Sequence, residues 1–298
     1  MSSFDFFGML MAMNYLIDGK KIAEDVLARV TAQVIYLKKN KVTVKLAVLL
    51  VGADLPSQTY VRRKEQAAKK CGLEFELIHL PESIDKSNII SEVQKIQATD
   101  SLSGLIVQMP LPQPFYTADV LNAIQSCYDV DCLTNENLGK LMMNQADWLP
   151  PTPAAVMEIL AAKGISVLGK NVVVVGVGAL VGKPLAVMLM NARASVTTLN
   201  SISSDFAAKC LAADIIISGV GKPNIIRGNM VKSGAIVIDT GVSFPNGVMS
   251  GDAVVEEIAD HAYVTPTPGG VGPITVAKLL ANTVAAAAKL HNITLPAV

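Results

Sequence analysis

Apolar positions along the chain follow two alternating rhythms. After Asp18-Gly19-Lys20, residues Ile22, Val26, Val30 and Val34 recur every fourth position with charged side chains between them. That stripe predicts an amphipathic helix. Residues 46–51 form a continuous aliphatic run closed by Gly52, as expected of a strand buried on both faces. Pro56-Ser57-Gln58-Thr59-Tyr60 opens a polar helix that stops near Cys71-Gly72, where glycine suits the C-terminal cap. Residues 73–80 alternate as a strand, 88–96 read as a helix, and 104–108 as another buried strand. This β-α-β-α-β order predicts a parallel sheet.

Pro150-Pro151-Thr152-Pro153 interrupts the pattern. Thr152 is placed to cap the next helix and Pro153 to occupy its first turn. That helix runs over 154–163 and ends at Gly164. A second alternation follows, with strands at 171–175, 195–199, 214–218, 235–239 and 263–265 and a helix at 184–192. Pro245-Asn246-Gly247 reads as a hairpin turn. An Ala-rich helix at 274–290 closes the pattern. The expected architecture is α/β with two domains and a cleft between them. One domain comprises 14–149 plus 274–298; the other, 150–273, is a Rossmann-like dinucleotide-binding domain with a parallel sheet.

Composition narrows the function classes. The chain has 298 residues, 51% hydrophobic and only 17% charged, with 25 basic against 25 acidic side chains. The apolar content excludes disorder, and charge balance argues against a basic nucleic-acid surface. Neutrality does not exclude a small anion, which a helix N-terminus can hold. No run supplies the roughly 18 uncharged apolar residues of a membrane span. Residues 1–13 are apolar but carry Asp5 and no basic stretch, so they read as a frayed leader or an early start, not a signal peptide. Cys71, Cys127, Cys132 and Cys210 show no CxxC pairing and read as reduced cytoplasmic thiols. The three histidines are scattered and no metal-ligand spacing occurs.

The sharpest motif is Val172-Val-Val-Val-Gly176-Val177-Gly178-Ala179-Leu180-Val181-Gly182-Lys183-Pro184. A buried strand runs into a glycine turn and then a helix, which suits a dinucleotide pyrophosphate. A ligand-free strand–helix turn is the plainer alternative. Pro184 stands where a Walker loop needs Ser or Thr. The next strand ends Thr198-Leu199-Asn200-Ser201, with neither an acid for a ribose nor an arginine for a 2′-phosphate. Tyr60 and Lys64 share one helical face. Lys64 suits acid/base work if burial lowers its pKa; the alternative is a solvated lysine among Arg62, Arg63 and Lys69. Gln108 ends a strand, where a ligand-facing amide and a structural one are equally consistent. Asp129-Val130-Asp131 puts two carboxylates on one side of an extended segment, for a metal or for a turn.

Together these segments resemble the bifunctional methylenetetrahydrofolate dehydrogenase/cyclohydrolase family. The matching stretches are 46–52, Ser57-Gln-Thr-Tyr60-Val-Arg-Arg-Lys64, Gly104-Leu-Ile-Val-Gln108-Met-Pro-Leu-Pro112, Asp129-Val-Asp131, Val181-Gly-Lys-Pro184, 234–239 and Thr265-Pro-Thr-Pro-Gly-Gly-Val-Gly-Pro-Ile-Thr275. They stand in the family's order and span 15–290. The resemblance implies hydride transfer from 5,10-methylenetetrahydrofolate to NADP, then hydrolysis of the methenyl product to 10-formyltetrahydrofolate. It implies Lys64, Gln108, Tyr60 and Asp131 as catalytic and folate-binding residues. Pro268, Gly269, Gly270 and Val271 would line the folate and cofactor cleft. Gly176, Val177, Gly178, Val181, Gly182, Pro184, Ser201, Gly219 and Thr240 would hold the cofactor. It further implies a cytoplasmic homodimer formed through the cofactor domain.

Four positions depart from the family pattern. Val177-Gly178 replace a common Arg-Ser, Asn200 a usual His, Cys132 a usual Gly, and Pro151-Thr-Pro-Ala-Ala155 a usual Cys-Thr-Pro-x-Gly. The first two remove groups that hold a 2′-phosphate and leave NAD as an alternative cofactor. Among other proteins, a one-activity member of this family or a shikimate-dehydrogenase-like enzyme are the rival readings, and a non-catalytic folate binder is a third.

Overall fold

The computed structural model describes residues 15–112 and 118–296, so the apolar opening at 1–13 lies outside the described residues. The chain forms two compact units. An N-terminal unit takes Glu24–Pro151 and 276 onward; a central unit takes Thr152–Thr275 and the chain up to Ala23.

The N-terminal unit holds most of helix α1 (Gly19–Lys39), then strand β1 (Lys45–Val51), helix α2 (Leu55–Cys71), β2 (Glu74–Leu80), α3 (Lys86–Gln97) and β3 (Gly104–Val107). Ile22, Val26, Val30 and Val34 are all buried, as their spacing requires. The three strands are parallel in the order β2-β1-β3. Central β1 is almost wholly buried, whereas edge strand β2 is mostly exposed. That contrast is why β1 reads as a continuous apolar run and β2 as an alternation. The core packs Ala47, Leu49 and Val51 against Ile89, Val93 and Ile96 of α3.

Helix α2 starts one residue before the polar segment suggested. The Asp54 carboxylate accepts from the Ser57 N–H at 2.9 Å, capping the first turn. Gly72 closes it at φ +81°, a left-handed conformation that glycine adopts without steric cost.

The chain after β3 adds two helices that the apolar rhythm does not reveal, α4 (Ala118–Asn122) and α5 (Asn135–Met142). Residues 129–131 are not extended but lie in turns, bridged to β3 through Leu105 and Asp129. The Asp129 carboxylate is consumed locally, accepting from the Leu133 and Thr134 N–H groups, the Thr134 hydroxyl and Asn137 Nδ2. It is therefore a turn-forming acid, and only Asp131 is left to face a ligand.

The central unit runs α6 (Pro151–Ala162), β4 (Asn171–Val175), α7 (Gly182–Asn191), β5 (Ser195–Leu199), α8 (Phe206–Ala212), β6 (Ile215–Ser218), β7 (Ile236–Asp239), α9 (Val255–Ile258), β8 (Tyr263–Val264) and the start of α10 (Val271–Leu290). Its five strands are parallel in the order β5-β4-β6-β7-β8. Helix α6 begins at Pro151, so Thr152 lies inside the first turn rather than capping it; its hydroxyl lies 3.4 Å from that of Thr275. Pro245–Gly247 forms a single 3₁₀ turn inside a loop closed by paired bonds between Ser243 and Ser250, not a hairpin between strands.

Helix α10 starts three residues earlier than its alanine run suggests. It is the one described helix long and apolar enough to cross a membrane. Its apolar face is spent on protein instead: Ile274, Ala277, Leu279, Leu280, Val284, Ala286 and Ala287 are buried.

Candidate active site

In a parallel sheet, ligands gather beyond the carboxyl ends of the strands where the order of connection reverses. In the N-terminal unit that point lies between β1 and β3. Gln108 sits there, its N–H donating to the Leu49 carbonyl at 2.8 Å. The Gln108 side chain is buried and held at both ends. Its Nε2 donates to the Met109 carbonyl at 2.6 Å, which aims Oε1 outward to accept from Lys64 Nζ at 2.9 Å. The amide is thus a bracket for the lysine, and its orientation follows from the bond it makes to the backbone.

Lys64 and Tyr60 stand one turn apart on α2. Loss of hydration pulls the Lys64 pKa below the usual lysine value, and the Asp131 carboxylate partly opposes this. Burial raises the Asp131 pKa, Lys64 lowers it and Asp129 adds to the rise. Loss of water also raises the Tyr60 phenol, against the pull of Arg63. The environment therefore favours a neutral amine more than water would, with the Asp131 carboxyl opposing that shift. That is the condition for a lysine to move protons near neutral pH.

Asp131 is fixed from behind. Trp148 Nε1 donates to the Asp129 carbonyl at 2.7 Å, and Asn282 Nδ2 to the Val130 carbonyl at 2.8 Å. Gly104 permits this close approach, because a Cβ there would meet the Val130 methyls at 2.7 and 2.8 Å. Cys132, the next residue, holds φ +57°, so the family's usual glycine has been replaced at a left-handed position.

In the central unit the reversal lies between β4 and β6, and the glycine turn leaves β4 at that point. Gly176 has φ +90°, and a Cβ on it would lie 2.8 Å from the Gly219 carbonyl oxygen. A Cβ on Gly182 would strike the Gly176 carbonyl; Gly178 has open space around it. The three glycines thus divide the work: Gly176 turns the chain, Gly182 lets α7 pack close, and Gly178 leaves room for a ligand. Val181 precedes the first turn of α7, in which Gly182 and Pro184 are buried. Thr240 follows β7 and donates both N–H and hydroxyl to the Ser218 carbonyl, at 2.7 and 2.8 Å. A Cβ on Gly219 would meet that hydroxyl oxygen at 2.6 Å. Val177 is half-buried beside the turn, and Ser201 is exposed in the turn after β5.

Pro268 to Val271 form a tight corner into α10. Gly269 holds φ +105°, Gly270 packs on the Pro266 carbonyl oxygen, and Gly19 packs on the Gly270 carbonyl. The structure thus gathers Lys64, Gln108 and Asp131 at one strand end, and Gly176, Gly182, Gly219 and Thr240 at another.

Comparison with known proteins also divides the chain in two, with the second match beginning beside the start of α6 and running on through α10. Residues 17–131 match the tetrahydrofolate dehydrogenase/cyclohydrolase catalytic domain, and residues 150–291 match the NAD(P)-binding domain of that family. The chain belongs to the tetrahydrofolate dehydrogenase/cyclohydrolase family. The bifunctional protein FolD of Macrococcus caseolyticus is 40% identical over 278 residues, covering 93% of this chain and 99% of that protein. The FolD crystal structure from Campylobacter jejuni superposes with a TM-score of 0.90 at 37% identity, covering 92% of this chain and 99% of that one. The Trypanosoma brucei FolD, solved with NADP and an inhibitor, gives 0.89 at 34%, covering 93% and 98%.

This family member is a two-domain α/β enzyme with parallel sheets. It also carries a polar cluster that the sequence does not announce. Ser218, Asp239 and Asp252 are buried behind the carboxyl ends of β6 and β7. The only sequence signal is a polar residue closing each of two aliphatic runs, Ile215-Ile-Ile-Ser218 and Ile236-Val-Ile-Asp239.

Proposed function

We propose that the protein oxidises 5,10-methylenetetrahydrofolate with NADP and hydrolyses the methenyl product to 10-formyltetrahydrofolate, a step of one-carbon metabolism. The observation that carries this reading is the Lys64–Gln108 bond at 2.9 Å beside Asp131, at the end of a buried strand.

The cofactor's nicotinamide C4 supplies the hydride acceptor when bound. Gly178, with open space about it, and the N-terminus of α7 fit its pyrophosphate. As the methylene carbon gives up hydride, its two nitrogens share the positive charge, so the chain contributes mainly position. Tyr60 stacks on the aminobenzoyl ring, and Asp131 accepts from the pterin's amino and ring N–H groups. Pro268, Gly269, Gly270 and Val271 admit the substrate closely. Val177, Val181, Gly182, Pro184, Ser201, Gly219 and Thr240 complete the cofactor contacts.

In the second reaction, water adds to the cationic methenyl carbon and the bond to N5 breaks. Neutral Lys64 accepts one proton from the adding water and returns it to N5, while the other water proton is released. Gln108 holds the amine in line. The folate-binding part is 14–149 with 274–298, and the cofactor part is 150–273. The enzyme acts in the cytoplasm as a homodimer through the cofactor part, which exposes the edge strand β5; its mass in solution is then twice 31.4 kDa.

Spectrophotometric turnover of methylenetetrahydrofolate tests the reading, with shikimate as the negative control. The expected kcat/KM for NADP exceeds that for NAD, and a ratio of one or less overturns NADP as the cofactor. Lys64→Met is expected to slow methenyl hydrolysis by about a hundredfold or more. Hydrolysis at the wild-type rate would remove Lys64 from the mechanism.

A further inference from the structure

Behind the cofactor loops, one carboxylate gathers three donors from a single stretch of chain, 218–222. Asp252 is fully buried. Its Oδ2 accepts from the Ser218 hydroxyl at 2.6 Å and the Val220 N–H at 2.7 Å, and its Oδ1 accepts from the Lys222 N–H at 2.8 Å. These donors end β6 and form the loop after it. Gly241, after β7, packs directly on the same carboxylate, where any Cβ would collide. Asp252 stands at the far end of the small loop that begins after Asp239, and its own carbonyl accepts from the Ile225 and Ile226 N–H groups.

The loop so gripped is the surface on which the glycine turn rests. Gly219, between Ser218 and Val220, presents the carbonyl that approaches Gly176. A chain of contacts thus runs from Asp252 through Val220 to Gly219 and on to the first glycine of the pyrophosphate turn. None of the links is a surface ion pair, and each uses a backbone group with little freedom to rearrange.

We propose that Asp252 is a positioning residue for cofactor binding: its carboxylate sets the 219–222 backbone that braces the Gly176 turn. This rests on the cofactor role assigned above to the central unit. The side chain itself touches no reacting atom.

The test is Asp252→Asn, which keeps the size but offers one acceptor oxygen. Either amide orientation leaves an NH₂ group facing a backbone N–H, from Val220 or from Lys222. The expected result is a rise of roughly tenfold or more in the KM for NADP, with kcat within about threefold of wild type. Methenyl hydrolysis, assayed without cofactor, is expected to stay within about twofold. An unchanged KM for NADP overturns the proposal, and so does a parallel fall of kcat and methenyl hydrolysis beyond the stated limits, which marks a purely structural role. If Asp252→Asn is insoluble, Ser218→Ala removes one donor and keeps the carboxylate. A rise of roughly threefold in the KM for NADP then supports the proposal, and no rise overturns it. Calorimetric titration with NADP reads the same shift without turnover. A wild-type protein that binds NADP but oxidises no folate therefore sinks the enzymatic reading and leaves the positioning role separately testable.

Discussion

Lys64 and Asp239 are both moved off their ordinary pKa by loss of water, in opposite directions. For the lysine this favours the neutral amine that the proposed proton transfer requires. For Asp239, the acid is pushed from 3.8 to about 7, first by burial and further by the facing carboxylate of Asp252, while the Ala253 and Gly241 N–H groups hold it back. Thr265 faces the same residue with a hydroxyl, which accepts from the Asp239 N–H. Between pH 3.8 and about 7 the native chain keeps a proton that the unfolded chain has released. The contribution of this proton is thus complete below 3.8 and lost as pH rises through 7. Denaturant unfolding of wild type and Asp239→Asn at pH 5 and pH 8 should reveal it. Wild type is expected to lose about 1–3 kcal/mol relative to the variant across that interval. A difference independent of pH would show that Asp239 does not titrate there.

At the scale of elements, the strand–turn–helix from β4 to α7 separates packing from ligand space glycine by glycine. Gly182→Ala is expected to cost about 1–3 kcal/mol, because its methyl enters the Gly176 carbonyl. Gly178→Ala meets no protein atom and is expected to leave stability within about 0.5 kcal/mol. It should still raise the KM for NADP by about tenfold, since the methyl fills ligand space. Equal Tm losses for the two variants would contradict this division.

The same element was readable from sequence because β4 is a valine run and the glycines interrupt it at once. Central β1 was readable for the same reason. Helices α4, α5, α8 and α9 were not, because elements of 5, 8, 7 and 4 residues are too short to repeat an apolar stripe. Thr134 caps α5 only because Asp129 fixes its hydroxyl, a contact that no local pattern encodes. Lys64 and Gln108 stand 44 residues apart and Ser218 and Asp252 stand 34 apart. The first pair was legible through resemblance to a family; the second became visible only when the sheet aligned the strand ends.

For the whole molecule, zero net charge leaves anionic ligands to be held by local groups. The thiols are ranked chiefly by burial. All four cysteines are free, and only Cys127 is partly exposed. Burial pushes Cys132 up to about 12 and Cys210 to about 11, which disfavours the reactive thiolate. Native protein is therefore expected to give no more than one readily titrated thiol with a disulfide reagent, and four after denaturation. Fast modification of two or more in the native state would contradict the buried placement of Cys71, Cys132 and Cys210.

The N-terminal unit is built from two stretches of chain, with Thr152–Thr275 lying between them in sequence. Its Asn282 bonds to the Val130 and Leu149 carbonyls come from α10, on the far side of that interval. A ribosome adding about 5–20 residues per second needs roughly 6–25 s to traverse the interval. During synthesis, residues 24–151 therefore wait with the α10 side of their core uncovered while the intervening unit is made, and a nascent-chain chaperone has that interval in which to act.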